Sequence, residues 1–466
     1  MTIQRRTGGW AGLGLSLSAL VIVSGCAPLE GEDRADAPLP SPPPYVAPPM
    51  APPPPPAPSR PAIVGLTASS REDSVDEIVV SASRIPPASA SPVPPGPGRP
   101  MPQSGILTAG DYDDLLNPAL YSAYVGRQLQ DQANSRLPYV DTARAVTIRV
   151  TDVRDRPMPF VEVRATRADG TTISLRTVAD GAVTLFPALD GLGETSRITV
   201  GSGRNAVTRT LTPGQDRVLE VRLAGTAQAV QAFDLLLVID ATGSMSDEMN
   251  YLKSELTSIM AAVAERHPGV DIRIGLIVYR DVGDDYVVRQ FGFTGNVGAI
   301  QTVLARQDAG GGGDYPEAVD QAMATALDFP WREDAVKALM LVADAPPHDD
   351  RIGQTWATTL EARRERIQIV PLAASGVADK AEFVMRAMAA ATQSRYLFLT
   401  DDSGVGLPHD TPEVKCYAVT RLDGLVRRVL DSLISGRRIE PTEAEVIRRV
   451  GPYDRGVCNV PGPKAG

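Results

Sequence analysis

Beyond Gln231 the chain alternates short apolar runs with amphipathic stretches of helical period, and few architectures accept that alternation. Runs suited to strands lie at residues 234–240, 272–280, 287–294, 336–344, 367–372 and 396–400. Between the first two, Met249, Leu252, Leu256, Ile259, Met260 and Val263 recur on one helical face, which ends at His267-Pro268-Gly269. A last helix carries Leu422, Leu425, Val426, Val429, Leu430 and Leu433, with Gly436 placed as its C-terminal cap. Strands and helices of these lengths predict an α/β fold over residues 230–437, a doubly wound, mainly parallel, Rossmann-like sheet with helices on both faces. Ligands of such folds sit at the carboxyl ends of the strands.

Upstream the texture differs. Across residues 143–226 apolar positions recur with period two: Val146, Ile148 and Val150, then Val161 and Val163, Ile173 and Leu175, Val183 and Leu185. Asp169-Gly170 and Asp180-Gly181 stand where turns are needed, so six or seven strands of a small all-β sandwich are expected. Its strand-and-turn rhythm resembles carboxypeptidase-regulatory-like or transthyretin-like modules, which implies a structural stalk. Residues 105–142 open on Thr108-Ala109-Gly110-Asp111 and read as a short helical segment through Leu120 and Tyr124. Residues 438–466 read as a tail.

Many of the 41 prolines fall within residues 26–104, a disordered linker rich in Pro-Ala and Pro-Ser steps that favour extended polyproline II. Within it, residues 76–85 (Asp-Glu-Ile-Val-Val-Ser-Ala-Ser-Arg-Ile) form an island able to pair as a lone strand. The island is similar to a segment near the start of TonB-dependent receptors, which implies strand addition to an energising partner. A chance β-prone stretch is the alternative.

Residues 1–25 read as a signal peptide: Arg5 and Arg6, then an apolar stretch from Trp10 to Val23. Val23-Ser24-Gly25-Cys26 resembles a bacterial lipobox, which implies cleavage before Cys26, acylation of its thiol and a lipid anchor in the cell envelope. Ala27 after the cysteine favours the outer membrane in the Gram-negative pattern. Cys416 and Cys458 are then left as a possible disulfide in an oxidising compartment. The net charge of −10, with no basic run, argues against nucleic-acid binding.

The first strand delivers Asp240 to the carboxyl edge, followed by Ala241-Thr242-Gly243-Ser244. One carboxylate and two hydroxyls suit a hard cation such as Mg²⁺, with Ca²⁺ or Mn²⁺ possible, while a plain helix cap is the other use of Thr242 or Ser244. The loop resembles the metal-ion-dependent adhesion site of von Willebrand factor type A domains, with its Asp-x-Ser/Thr-x-Ser pattern. That resemblance implies direct ligation by Thr242 and Ser244, with Asp240 and Asp344 acting mainly through water. Asp314-Tyr315-Pro316-Glu317 resembles the Asp-x-Pro-Glu loop of integrin β subunits, which implies that Glu317 is a further direct ligand. The same likeness places possible adjacent cation sites at Asp247 and Glu248, and at Asp281 with Asp314. Asp247 and Glu248 equally suit the first turn of a helix, and Asp281 a solvated loop.

One coordination position is left for an acidic group of a protein partner. Water activation at that position is the enzymatic alternative. The dispersed His267, His348 and His409, with no His-Glu-x-x-His or nucleophile-elbow pattern, point away from an enzyme. No Gly-Lys-Ser/Thr follows the glycines at 310–313, so no nucleotide is expected. The expected function is therefore metal-dependent binding of a protein by an envelope lipoprotein, as an adhesin or scaffold. An assembly factor linked to TonB-type machinery and a metal-dependent hydrolase are the alternatives.

Overall fold

The computed structural model describes residues 77–80, 105–131, 134, 136–404 and 409–460, with the side chains of residues 77–80, Asp247 and Glu248 excepted. The leader, Cys26 and most of the linker lie outside the described residues. Two strands precede the sandwich, β1 (Glu77–Val80) and β2 (Thr108–Tyr112), and α1 (Pro118–Gln128) follows them. The sandwich holds β3 (Val146–Thr151), β4 (Glu162–Thr166), β5 (Thr172–Arg176), β6 (Ala182–Leu185), the single turn α2 (Pro187–Asp190), β7 (Ser196–Val200), β8 (Val207–Leu211) and β9 (Val218–Arg222). Its strands form two sheets, β6-β3-β9 and β5-β4-β7-β8, as the period-two pattern requires. Val146, Ile148, Val163, Leu175, Val183 and Ile198 fill the space between them.

The α/β part runs β10 (Ala232–Asp240), α3 (Ser246–Arg266), β11 (Asp271–Tyr279), β12 (Val288–Thr294), α4 (Val297–Ala305), α5 (Val319–Leu327) and β13 (Val336–Ala343). It continues through α6 (Ile352–Arg364), β14 (Ile367–Ala373), α7 (Asp379–Ala391), β15 (Tyr396–Thr400), β16 (Tyr417–Arg421), α8 (Leu422–Ser435), β17 (Arg448–Val450), β18 (Tyr453–Asp454) and β19 (Val457–Cys458). The large sheet has the order β1-β12-β11-β10-β13-β14-β15-β2-β16-β17. Strands β11, β10, β13, β14 and β15 are parallel to their neighbours in that run, and β12 is antiparallel to β11.

Strand β10 is buried along its whole length, because both faces of the sheet are covered. Leu235, Leu237 and Ile239 join the core under α3, α4 and α8, whereas Leu236 and Val238 join the core under α5, α6 and α7. Gly436 adopts φ 65° and caps α8, the position a glycine tolerates without a Cβ penalty.

Two expectations are corrected. Residues 105–142 are not uniformly helical: Thr108–Tyr112 is a buried strand inserted between β15 and β16, and only α1 beyond it is helical. A methyl at Gly110 would stand 2.7 Å from the Phe398 ring and 2.9 Å from that of Tyr417, so the close packing of β2 requires glycine there. Residues 438–466 are not simply a tail. Part of that stretch pairs as β17 with β16, and Cys458 forms a disulfide with Cys416 at a Cα separation of 5.5 Å. Asn117 holds the same region, donating to the Gly456 carbonyl at 2.7 Å and accepting from the Cys458 N–H at 2.8 Å.

Candidate metal centre

The parallel strands end together at one edge, and three loops meet there. The first follows β10. Asp240 is fully buried, and its Oδ1 accepts from the Thr242 N–H at 2.9 Å and from the Thr242 hydroxyl at 2.7 Å. The Thr242 and Ser244 hydroxyls lie 3.3 Å apart, with Ser244 exposed. Neither hydroxyl caps a helix through its side chain. Asp240 Oδ2 is buried without a hydrogen-bond partner, and the buried Tyr279 hydroxyl beside it does not reach hydrogen-bond geometry.

The second contribution comes from residues 310–317. Gly243 donates to the Gly311 carbonyl at 3.2 Å, and Gly310 to the Ala241 carbonyl at 2.9 Å, which ties this loop to the first. Gly311 and Gly312 have φ of 79° and 72°. A methyl on Gly312 would meet Glu317 Oε1 at 3.0 Å and Thr242 Cβ at 3.3 Å, so the glycine lets the backbone pass between those side chains. The Glu317 N–H donates to the Pro346 carbonyl at 3.0 Å, in a parallel bridge with Pro347. Glu317 is 3 % exposed, and its Oε2 has no hydrogen-bond partner.

The third loop follows β13 and supplies Asp344, which is also buried. Ser244, Asp314, Tyr315, Glu317, Asp344 and Ser375 line a cleft of about 410 Å³. Tyr315 spans its wall: its hydroxyl donates toward the Asp344 carbonyl at 3.2 Å and accepts from the Ala378 N–H at 2.7 Å.

The crowding of carboxylates has an electrostatic signature. Burial, then the charge of Asp344, pushes Asp240 up to about 7. Burial, then the charges of Asp240, Asp281 and Asp344, pushes Glu317 up to about 9. Such groups are stabilised by protons or by a cation. Two buried carboxylate oxygens without partners, next to two hydroxyls, suit a hard cation that takes oxygen ligands. Among the described residues no group of three or more His, Cys, Asp or Glu side chains forms a metal cluster by itself. The donor set here differs from such a cluster because hydroxyls make up part of it.

The remaining sequence-selected residues separate. Asp281 is buried and paired with His348, whose Nε2 lies 2.7 Å from Asp281 Oδ1, and this hydrogen bond raises the imidazole above its ordinary value. His348 is therefore tied to the edge and is not a free surface histidine. Asp314 is exposed on the cleft. Asp247 and Glu248 stand in the first turn of α3, and their side chains lie outside the described ones. The sequence reading missed Asp284. Its Oδ2 accepts from the Asp281 N–H at 3.1 Å and from the Gly312 N–H at 2.9 Å, bracing the turn between β11 and β12 against the glycines of the second loop. It also missed Arg280, whose guanidinium donates to the carbonyls of Ala241 at 3.1 Å and Asp308 at 2.7 Å. An Asp-x-x-Asp spacing after a strand was the available signal.

A stretch of 133 residues is 31 % identical to the alpha-protein kinase vwkA of Dictyostelium discoideum, covering 28 % of this chain and 21 % of that protein. A stretch of 115 residues is 33 % identical to a putative ariadne-like RING finger protein of Acanthamoeba polyphaga mimivirus, covering 25 % of this chain and 11 % of that one. The chain thus spans about a fifth and a tenth of the lengths of these relatives. Among solved structures, BatB from Bacteroides thetaiotaomicron matches at 12 % identity and a TM-score of 0.30, over 43 % of this chain and 98 % of that one. The SpRpn10 VWA domain matches at 12 % identity and a TM-score of 0.29, over 38 % and 89 %. Residues 234–408 match the family model described as von Willebrand factor A domain, and this portion of the chain is such a domain.

Proposed function

We propose that this domain binds a protein partner through a divalent cation, Mg²⁺ before Ca²⁺ or Mn²⁺, held at the edge where β10 and β13 end. Thr242, Ser244 and Glu317 would hold the ion directly, and Asp240 and Asp344 through water. When bound, the cation supplies a positive centre for an acidic side chain of the partner. The chain's own residues position it: Thr242 is fixed by Asp240, the 310–317 loop by Asp284, and Arg280 ties Ala241 to Asp308 just before that loop. The observation that carries this reading is the pair of buried carboxylate oxygens, Asp240 Oδ2 and Glu317 Oε2, that no protein donor satisfies. Domains of this family commonly mediate protein–protein interaction, which supports the choice of a protein ligand. The lipobox-like tetrad ending in Cys26 supports a lipid anchor in a bacterial envelope, at the outer membrane.

The test is capture of envelope proteins by the full chain, with and without chelator, beside Asp240→Ala. A partner that chelator and the substitution both remove supports the reading. Retention of every partner under both conditions sinks it.

A further inference from the structure

The two outer edges of the large sheet are protected in different ways. At one end β17 is three residues long and carries Arg448 and Arg449, both exposed, which blunts that edge against further pairing. At the other end β12 is seven residues long, contains Val288, Phe291, Phe293 and Thr294, and would present a row of unpaired backbone groups. The chain covers part of this row with β1, antiparallel, in the register Glu77 to Phe291, Ile78 to Gln290, Val79 to Arg289 and Val80 to Val288.

Two features make this cover exchangeable. It is only four residues long. It lies in the interval between Pro61 and Pro86, which holds no proline, so its backbone donors are complete, whereas a strand cannot extend through the flanking prolines.

We propose that the outer side of β12 is a strand-acceptor edge with a built-in competitor. Residues 77–80 occupy it in cis, and an extended, proline-free, β-branched segment of another protein takes their place when they leave. Main-chain pairing supplies the recognition, so this surface does not depend on the cation reading. Its position matters to that site nonetheless. Val80 pairs with Val288, and the neighbouring Val287 carbonyl accepts from the N–H of Arg280 at 2.9 Å, the residue whose side chain ties the first loop to Asp308, just before the second.

Hydrogen exchange on the full chain tests this. The outward amides within residues 288–291 are expected to exchange about tenfold faster in Val79→Pro than in the wild type, while β10 keeps its protection. A peptide of residues 74–85, added in trans, is expected to restore slow exchange in the variant. In a second variant, Ile78→Cys with Gln290→Cys, oxidation is expected to cross-link the two positions within one molecule. Equal exchange in wild type and Val79→Pro would overturn the cis strand, and a cross-link found only between copies would do the same. A peptide that leaves exchange in the variant unchanged would overturn the acceptor edge.

Discussion

The Thr242 hydroxyl donates to Asp240 Oδ1 at 2.7 Å and so satisfies one oxygen of a fully buried carboxylate while leaving Oδ2 without a partner. An ionised carboxylate in that position is costly unless a cation or a proton arrives. Removing its charge therefore has opposite effects with and without metal. Asp240→Asn is expected to weaken Mg²⁺ binding by about 10–100-fold, read by titration calorimetry. At pH 8 the same variant, free of cations, is expected to melt no lower than the wild type.

The effect of pH follows from the same two carboxyls. In the cation-free fold Asp240 rises from 3.8 to about 7 and Glu317 from 4.5 to about 9, so between those limits the folded chain binds more protons than the unfolded one. Their contribution to stability is fully present below about pH 4 and is lost as pH climbs through about 7 and then 9. A cation must displace these protons, so its affinity should rise with pH. The increase in melting temperature produced by Mg²⁺ is expected to be larger at pH 8.5 than at pH 5.5, and an equal increase would contradict this linkage.

Arg386 is 1 % exposed and sits 2.7 Å from Asp114 Oδ1 and 2.9 Å from Glu382 Oε1. It joins α7 to the segment just after β2. Arg386→Ala leaves two buried carboxyls without their cation, and urea denaturation should register a loss of about 3–5 kcal/mol.

The Cys416–Cys458 bridge closes a loop of 42 residues. Chain entropy alone gives about 4 kcal/mol for a loop of that length. Cys458→Ser is expected to lose a comparable amount in denaturant, and added reductant should remove the difference between wild type and variant.

What could be read in advance follows the density of apolar residues. Strands β10, β13 and β14 are buried on both faces and therefore appear as unbroken apolar runs. Asp240 and Asp344 were legible because each directly follows such a run, and Glu317 because the Asp-x-Pro-Glu spacing is distinctive. Strand β2 was not, since Thr-Ala-Gly-Asp-Tyr shows neither period two nor a continuous apolar run. Its Asp111 is buried against Arg395 and Arg438, partners nearly three hundred residues or more away in the chain. Asp284 was missed for a similar reason: its partner, the Gly312 N–H, is a backbone group in another loop.

Gly110, wedged against Phe398 and Tyr417, makes the α/β part a discontinuous unit. The β-sandwich is then an insertion between an inner strand of the large sheet and the rest of that sheet. A fragment cut at residue 230 would resemble the family in sequence but would lack that inner strand, leaving β15 and β16 with facing, unpaired edges. The shortest piece able to stand alone must begin before Thr108, carrying the sandwich with it.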